Sequence, residues 1–541
     1  MNNRISPPGR CQNTTALVVT ALLAVACNDK NEGIEGSLKF GMRFTDVHTS
    51  AGLDYEHTYR RDRSEYLPIA CGVAAGDYDR DGFTDLYISK GDNGGNVLFR
   101  NKGDGTFEDV SDGAGVRLAG GAWCGSTFAD INGDLYLDIF IGGVAGTPPC
   151  ILINQQDGTF ADRTPGSGLD VVRSETYSAA FGDYDKDGDL DLFLTQWNTD
   201  RGPGENSQNL WENDGTGVFT DVSIASGVTE ALEEEDEEPG GPFTDYSFTP
   251  NFVDVDSDGW LDLVITSDEG KNLVLVNNKV GGFENITESV VSSPHATGAA
   301  MGDYDNDGDV DWFASGLYYD LPGAGFTGNR LYSNQGNGTF QDLTDTAGVR
   351  DGSWGWASSF ADFNNDGNLD LVQVNGYGVH PNGDFNQFFR DPSRLFMNNG
   401  NGTFAEEAAD LRFDDFLLGR GVVCFDYDRD GDIDIFVANV FGEPALWRND
   451  GGNSQNFLTV GLEFLPGNYR GIGSRITITI NGEEQMRELR GGSHYVSQNP
   501  VEAHFGLGDA DVVDMVEIRW PDGTTTIRTD VPANQILRIS R

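Results

Sequence analysis

Seven times along this chain a loop recurs in the form Asp-x-(Asp/Asn)-x-Asp-Gly-x-x-Asp, with one change in its second copy. Side-chain oxygens stand at positions 1, 3, 5 and 9, a glycine at position 6 makes the sharp turn, and a backbone carbonyl is available at position 7. This is the ligand pattern of an EF-hand as far as the turn, without the bidentate Glu at position 12. Oxygen donors in a flexible loop with no His or Cys nearby favour calcium over zinc or copper. They favour it over magnesium because six or more oxygens can converge. One such loop could be a turn whose aspartates bond their own backbone; seven in one register point to metal.

The candidate ligands are Asp77, Asp79, Asp81 and Asp85 in loop 1, and Asp130, Asn132, Asp134 and Asp138 in loop 2. Loop 3 offers Asp183, Asp185, Asp187 and Asp191; loop 4 Asp254, Asp256, Asp258 and Asp262; loop 5 Asp303, Asp305, Asp307 and Asp311. Asp362, Asn364, Asp366 and Asp370 form loop 6, and Asp426, Asp428, Asp430 and Asp434 loop 7. Up to seven calcium ions are expected. Loop 2 should bind weakest, because Leu135 stands where the glycine belongs and a leucine forced to positive φ is strained by about a kcal/mol or more.

The leading aspartates lie 49 to 71 residues apart. Each unit reads as a short apolar strand such as CGVAAG, the acidic loop, and an alternating strand such as DLFLTQ. A strand ending in an Asn-rich turn follows, as in NVLFRNKGDGTF, and then a strand opened by Gly-Thr-Phe. Four strands per unit of about 50 residues predict a blade, and seven units predict a closed ring. The seventh unit lacks its Gly-Thr-Phe strand, while Phe44-Thr45-Asp46-Val47 precedes the first unit; that strand is expected to complete the last blade and remove the exposed edges. The expected fold class is all-β: a seven-bladed β-propeller over residues 43–452, then a small β-rich C-terminal domain over residues 453–541, where RITITI and VEIRW alternate with period two.

With 87 acidic residues against 35 basic ones, the chain carries a net charge of -52. Nucleic acid and electrostatic docking on an anionic membrane are disfavoured as partners, and 33 Phe, 17 Tyr and 9 Trp are too many for a disordered acidic polymer. Residues 1–26 hold Arg4, Arg10 and an apolar run from Thr14 to Ala26, too short to span a bilayer and read as an export signal. Cleavage before Cys27 leaves either a lipid-anchored cysteine or a free thiol, and residues 27–42 read as a linker. The expected location is the outer membrane or cell surface as a lipoprotein, or secretion. Cys71, Cys124, Cys150 and Cys424 either pair as disulfides in one of three ways or sit as buried small hydrophobes.

From Phe44 to Asn453 the repeats resemble the FG-GAP/VCBS repeats of α-integrin heads, which implies a seven-bladed propeller with calcium in these loops. Beyond them, NFL from Asn456, NYRGIGSR from Asn468, GGSHY from Gly491, HFGLG from His504 and WPDG from Trp520 look like the ASPIC/UnbV domain of the cartilage acidic protein family and its bacterial relatives. The resemblance implies a secreted or surface calcium-binding protein; some bacterial relatives are named for enediyne antibiotic biosynthesis.

Other candidates carry a functional and a structural reading each. Arg470, Arg475, Arg490, His494 and His504 could build a polar site or pair with nearby acids, and the second is favoured because no nucleophile, base and orienting partner can be assembled. Trp354 and Trp356 could line a sugar or peptide site or pack within the ring. The run Glu233 through Glu238 and the cluster Arg60, Arg61 and Arg63 read as a solvated insertion and a salt-bridged loop. No P-loop, G-x-S-x-G or H-E-x-x-H is present, and the 6 His are scattered. The expected function is a monomeric, exported binding, adhesion or scaffold protein with a protein or glycan ligand. The alternative is an enzyme or biosynthetic accessory acting on a polysaccharide or small metabolite at the propeller channel. No catalytic residue is assigned.

Overall fold

Strands of three to seven residues cannot bury their apolar faces alone, and in the computed structural model they pair into seven antiparallel four-stranded sheets. The structure describes residues 39–541 apart from 59–68, 92–93, 119, 172–174, 202–204, 235–242, 270–271, 294, 320–325, 379–385 and 493. The expected signal, Cys27, residues 27–38 of the linker, the Arg60, Arg61 and Arg63 cluster, and most of the acidic run after Glu234 lie outside the described residues. Met42, read as linker, is buried in the core.

Sheet one runs in order through Cys71–Gly76, Asp85–Lys90, Val97–Asn101 and Phe107–Asp109. Sheets two to six repeat this order, starting from Trp123–Ala129, Ala179–Gly182, Ser247–Val253, Ala296–Gly302 and Gly355–Ala361. Sheet seven takes three strands from Gly419–Phe425, Asp434–Asn439 and Ala445–Asp450; its fourth is Arg43–Asp46, antiparallel to Ala445–Asp450 with Phe44 opposite Asn449. In every sheet the residue before the acidic loop pairs with the aspartate that ends it, as Gly76 with Asp85 and Gly302 with Asp311. Each acidic loop is therefore the hairpin between a first and a second strand.

The first strands of sheets one, two, three, five and six carry several Gly, Ala or Ser, as in CGVAAG and ATGAAMG, and apart from Trp123 every residue of the seven first strands is buried. Small residues are needed there because consecutive first strands lie side by side, one against two through six against seven, and seven against one. A segment of the C-terminal region lies among them. Ser497–Gln498 pairs parallel with Val73 and Ala74 of sheet one, and the Gln498 amide exchanges hydrogen bonds with Phe128 of sheet two at 2.7 and 3.0 Å. The Phe181 N–H of sheet three donates to Gly491 O. The Tyr495 ring meets Phe248 of sheet four and Trp356 of sheet six. Arg490 donates to Met301 O of sheet five at 2.6 Å, and Asn499 accepts from the Cys424 N–H of sheet seven at 2.9 Å. Residues 490–492 and 494–499 thus touch the first strand of every sheet.

The rest of the C-terminal region forms two small sheets. One is ordered Glu483–Glu488, Arg475–Ile480, Val512–Arg519, Thr525–Pro532, and the other Ala503–Gly508, Asn456–Glu463, Gln535–Ser540. They enclose a core that includes Leu458, Ile478, Phe505, Val516 and Trp520. Cys71, Cys124, Cys150 and Cys424 are all buried with no disulfide among them, which settles the open choice in favour of buried hydrophobes. Burial pushes the Cys150 and Cys424 thiols up to about 12, so neither is a nucleophile at neutral pH.

Candidate metal centre

Each acidic loop is built around its last aspartate. Asp85, Asp138, Asp191, Asp262, Asp311, Asp370 and Asp434 are 0% exposed, because each belongs to the second strand. In every sheet this carboxylate accepts the N–H of an asparagine on the third strand: Asn101, Asn154, Asn213, Asn277, Asn334, Asn398 or Asn449. The first aspartate opens the loop, and in loops 2, 4, 5, 6 and 7 it accepts backbone N–H groups from positions 5 and 6, as Asp303 does from Asp307 at 3.0 Å and Gly308 at 3.2 Å. The position-5 aspartate accepts the N–H of position 7 in all seven loops, for example Trp260 to Asp258 at 2.9 Å.

In loops 1, 3, 4 and 5 the aspartates at positions 1, 3 and 9 bring oxygens within 4.8 Å of one another. The position-5 aspartates stand outside those four groups. In loop 1, Arg100 bridges Asp79 and Asp81; in loop 4, Lys279 holds Asp258. The structure also gathers Asp268, Glu269 and His295 within the same limit, a group the loop pattern does not reveal.

The electrostatics of these clusters call for a cation. Burial, reinforced by neighbouring carboxylates, pushes Asp183 up to about 7 and Asp262 up to about 8. Burial also pushes Asp303, Asp362 and Asp426 up to about 7. Oδ1 of Asp77, Asp183 and Asp428 and Oδ2 of Asp191 are buried with no hydrogen-bond donor. A buried acceptor left without a donor is costly, and a metal ion supplies the missing partner. These clusters of hard oxygens fit a divalent metal ion.

The loop backbone differs from the expectation of one turn residue. Position 4 has positive φ in Arg80, Lys186, Ser257, Asn306, Asn365 and Arg429, in addition to the glycine at position 6. In loop 2 the roles are exchanged: Gly133 occupies position 4 and Leu135 takes φ 74 at position 6. Asn132 and Asn364 each spend their amide on the position-5 carboxylate, Asp134 and Asp366, at 3.1 and 3.0 Å.

The asparagines are the residues that sequence reasoning passed over. Besides the bond to the buried aspartate, each Nδ2 donates to a carbonyl of its own loop and to one of the preceding loop. Asn154 reaches Tyr78 O, Asn213 Ile131 O, Asn277 Tyr184 O, Asn334 Val255 O, Asn398 Tyr304 O and Asn449 Phe363 O. Asn101 of sheet one reaches Tyr427 O of loop 7 at 2.9 Å. The signal was present as an Asn in RN, IN, EN, VN, SN, MN and RN, each closing a third strand.

The C-terminal arginines and histidines serve as structural partners. Arg470 lies 3.5 Å from Asp77, Arg475 and Arg519 lie 3.8 and 4.0 Å from Asp254, and Arg429 of loop 7 lies 2.9 Å from Glu502. His504 bonds Asn365 of loop 6 at 2.7 Å. Burial pushes His494 down to about 4 and His504 down to about 3, so both rings are neutral at pH 7. Trp356 is buried in its first strand, and Trp354 stacks on Tyr377 with centroids 4.1 Å apart.

The FG-GAP-like repeat family matches residues 77–141, 130–194, 254–314 and 319–372, and the ASPIC and UnbV family matches residues 465–541. This is an FG-GAP-repeat chain with a C-terminal ASPIC and UnbV domain. It is homologous to cartilage acidic protein 1. The Mus musculus protein is 30% identical over 253 residues, 37% of this chain and 39% of that protein. The Homo sapiens protein is 27% identical over 252 residues, 37% of this chain and 38% of that protein. The match therefore spans well under half the length of these relatives. A solved Agrocybe aegerita lectin, described as recognising non-reducing terminal N-acetylglucosamine, aligns with a TM-score of 0.41 and 19% identity over 69% of this chain and 93% of that one. The ASPIC and UnbV domain thus packs against the acidic loops of the FG-GAP repeats.

Proposed function

We propose that this chain is an exported calcium-binding protein whose seven sheets are the blades of a closed propeller, acting as a binding, adhesion or scaffold protein toward a protein or glycan ligand. The observation that carries it is the set of buried aspartate clusters with oxygens lacking donors. The repeated positive φ at position 4 is backbone strain of the kind that persists at functional sites. Calcium, at up to seven sites, fits hard oxygens in loops that pair poorly with the octahedral demand of magnesium. Closure of the ring is supported by the contact between first strands seven and one and by the bond from Asn101 to loop 7.

The leader-like run from Thr14 to Ala26 and relatives named for an extracellular tissue support export. Chemistry in a central channel is disfavoured because residues 490–492 and 494–499 lie among the first strands. Chelation should lower the melting temperature by several degrees, with recovery on adding calcium but not equal magnesium. An unchanged melting temperature would sink the calcium reading. Glycan and protein screening with calcium, repeated after chelation, tests the ligand-binding half: ligands that bind equally well without calcium would count against a metal-stiffened binding surface.

A further inference from the structure

Asp268, Glu269 and His295 each bring a ligand atom within 4.8 Å of the other two. Unlike the four aspartate groups of the acidic loops, this one includes a nitrogen. It lies at the other end of the sheets. Asp268 and Glu269 directly follow Asp262–Ser267, the second strand of sheet four, whose first residue closes loop 4. Six residues at about 3.3 Å each place the group about 20 Å from that loop. His295 directly precedes Ala296–Gly302, the first strand of sheet five, whose last residue leads into loop 5. The group therefore joins two neighbouring sheets at their ends away from the acidic loops.

The side chains are held in place from behind. His295 Nδ1 stands 3.2 Å from Asp268 Oδ1, and two ligands of a tetrahedral ion, each about 2.0 Å from it, stand about 3.3 Å apart. The other oxygen of Asp268 accepts the Trp197 indole N–H at 3.4 Å, and Trp197 is itself fixed by stacking on Phe248 with centroids 5.0 Å apart. The His295 ring packs against Phe326 at 5.1 Å. Such outer contacts orient the ligands of a metal site. Glu269 is exposed and His295 half-buried, so an ion can enter from solvent.

A His295–Asp268 ion pair accounts for two of the three residues. It leaves the second carboxylate, Glu269, as excess negative charge beside it, which a divalent cation would answer. One imidazole with two carboxylates suits zinc rather than calcium or magnesium, which take oxygen ligands. We propose that Asp268, Glu269 and His295 form a zinc site, three protein ligands with an open fourth position for water. It uses no residue of the acidic loops, so it stands or falls apart from the calcium reading.

Calorimetric titration of zinc into the full chain in excess calcium tests it. Binding of one zinc is expected that is lost in His295→Ala and roughly tenfold weaker in Glu269→Gln. His48, whose ring nitrogens lie 2.8 Å from Asp46 and 3.5 Å from Glu443, is the control: His48→Ala should bind zinc as the wild type does. Cobalt in place of zinc should give the intense visible absorption of a four-coordinate ion, lost in His295→Ala, which separates ligation from the general attraction of cations to an acidic surface. Zinc uptake and a cobalt spectrum unchanged in His295→Ala, or binding lost in His48→Ala instead, overturn the proposal and leave an ion pair. If His295→Ala does not fold, Glu269→Gln at its exposed position decides, undiminished affinity there counting against the site.

Discussion

At the scale of single residues, the metal-free loops work against themselves. Burial holds Asp183 and Asp303 up at about 7 and Asp262 at about 8, against about 3.9 in an unfolded chain. Between these values the folded state binds more protons than the unfolded one, so stability falls as pH rises. Urea unfolding in a chelator should therefore show stability declining from about pH 4 to about pH 8 and levelling beyond. With saturating calcium the decline should disappear above about pH 5, because the ion holds these carboxylates deprotonated in the folded state as they already are in the unfolded one; a flat profile in chelator would show that the raised aspartates do not govern stability. Loop 2 offers a second test. Replacing Leu135, at φ 74, with glycine removes strain of about 1–2 kcal/mol and adds about 0.5–1 kcal/mol of backbone entropy. Leu135→Gly should be neutral to slightly stabilising and should tighten calcium binding at loop 2, read by calorimetry. The swap of glycine from position 6 to position 4 was visible in the sequence, but its meaning was not. Only the six left-handed residues at position 4 of the other loops show that the hairpin needs two such turns.

At the scale of elements, the third-strand asparagines and the inserted segment do the joining. Asn277 is buried and donates to Tyr184 O at 2.7 Å and Leu261 O at 3.0 Å. Asn277→Ala strands both carbonyls, and a loss of about 2–6 kcal/mol in urea unfolding is expected from about 1–3 kcal/mol per unsatisfied group. A loss near zero would mean that the bridge between sheets three and four is dispensable. Tyr495 fills the centre, fully buried, with its hydroxyl on Ile69 O at 2.9 Å. Tyr495→Ala should cost about 3–5 kcal/mol, as for other buried aromatics, in a melt that follows the whole chain. The four-strand order of each unit was legible from hydrophobic runs and Gly-Thr-Phe turns. The path of residues 490–492 and 494–499 was not, because its contacts lie from 75 to 426 residues away in the chain and carry no periodic signal.

At the scale of the whole molecule, a net charge of -52 on 541 residues sets up self-repulsion that metal ions and salt both relieve. Raising sodium chloride from 0.01 to 0.15 M shortens the screening length from about 30 to about 8 Å. The melting temperature of the chelated protein should rise across this range more than that of the calcium-loaded protein; equal shifts would place the repulsion away from the loops. By itself the sequence determined the all-β repeat, the sevenfold count of loops and the aspartates that could ligate metal, because repeats, turns and ligand spacing are local properties written every few residues. Tertiary structure alone decided which oxygens converge and that the asparagines clasp each loop to the one before. It also decided that the cysteines stay unpaired and that the C-terminal domain lies over the loops with a segment among the first strands. These depend on distances between residues far apart in the chain, which packing sets and composition does not record.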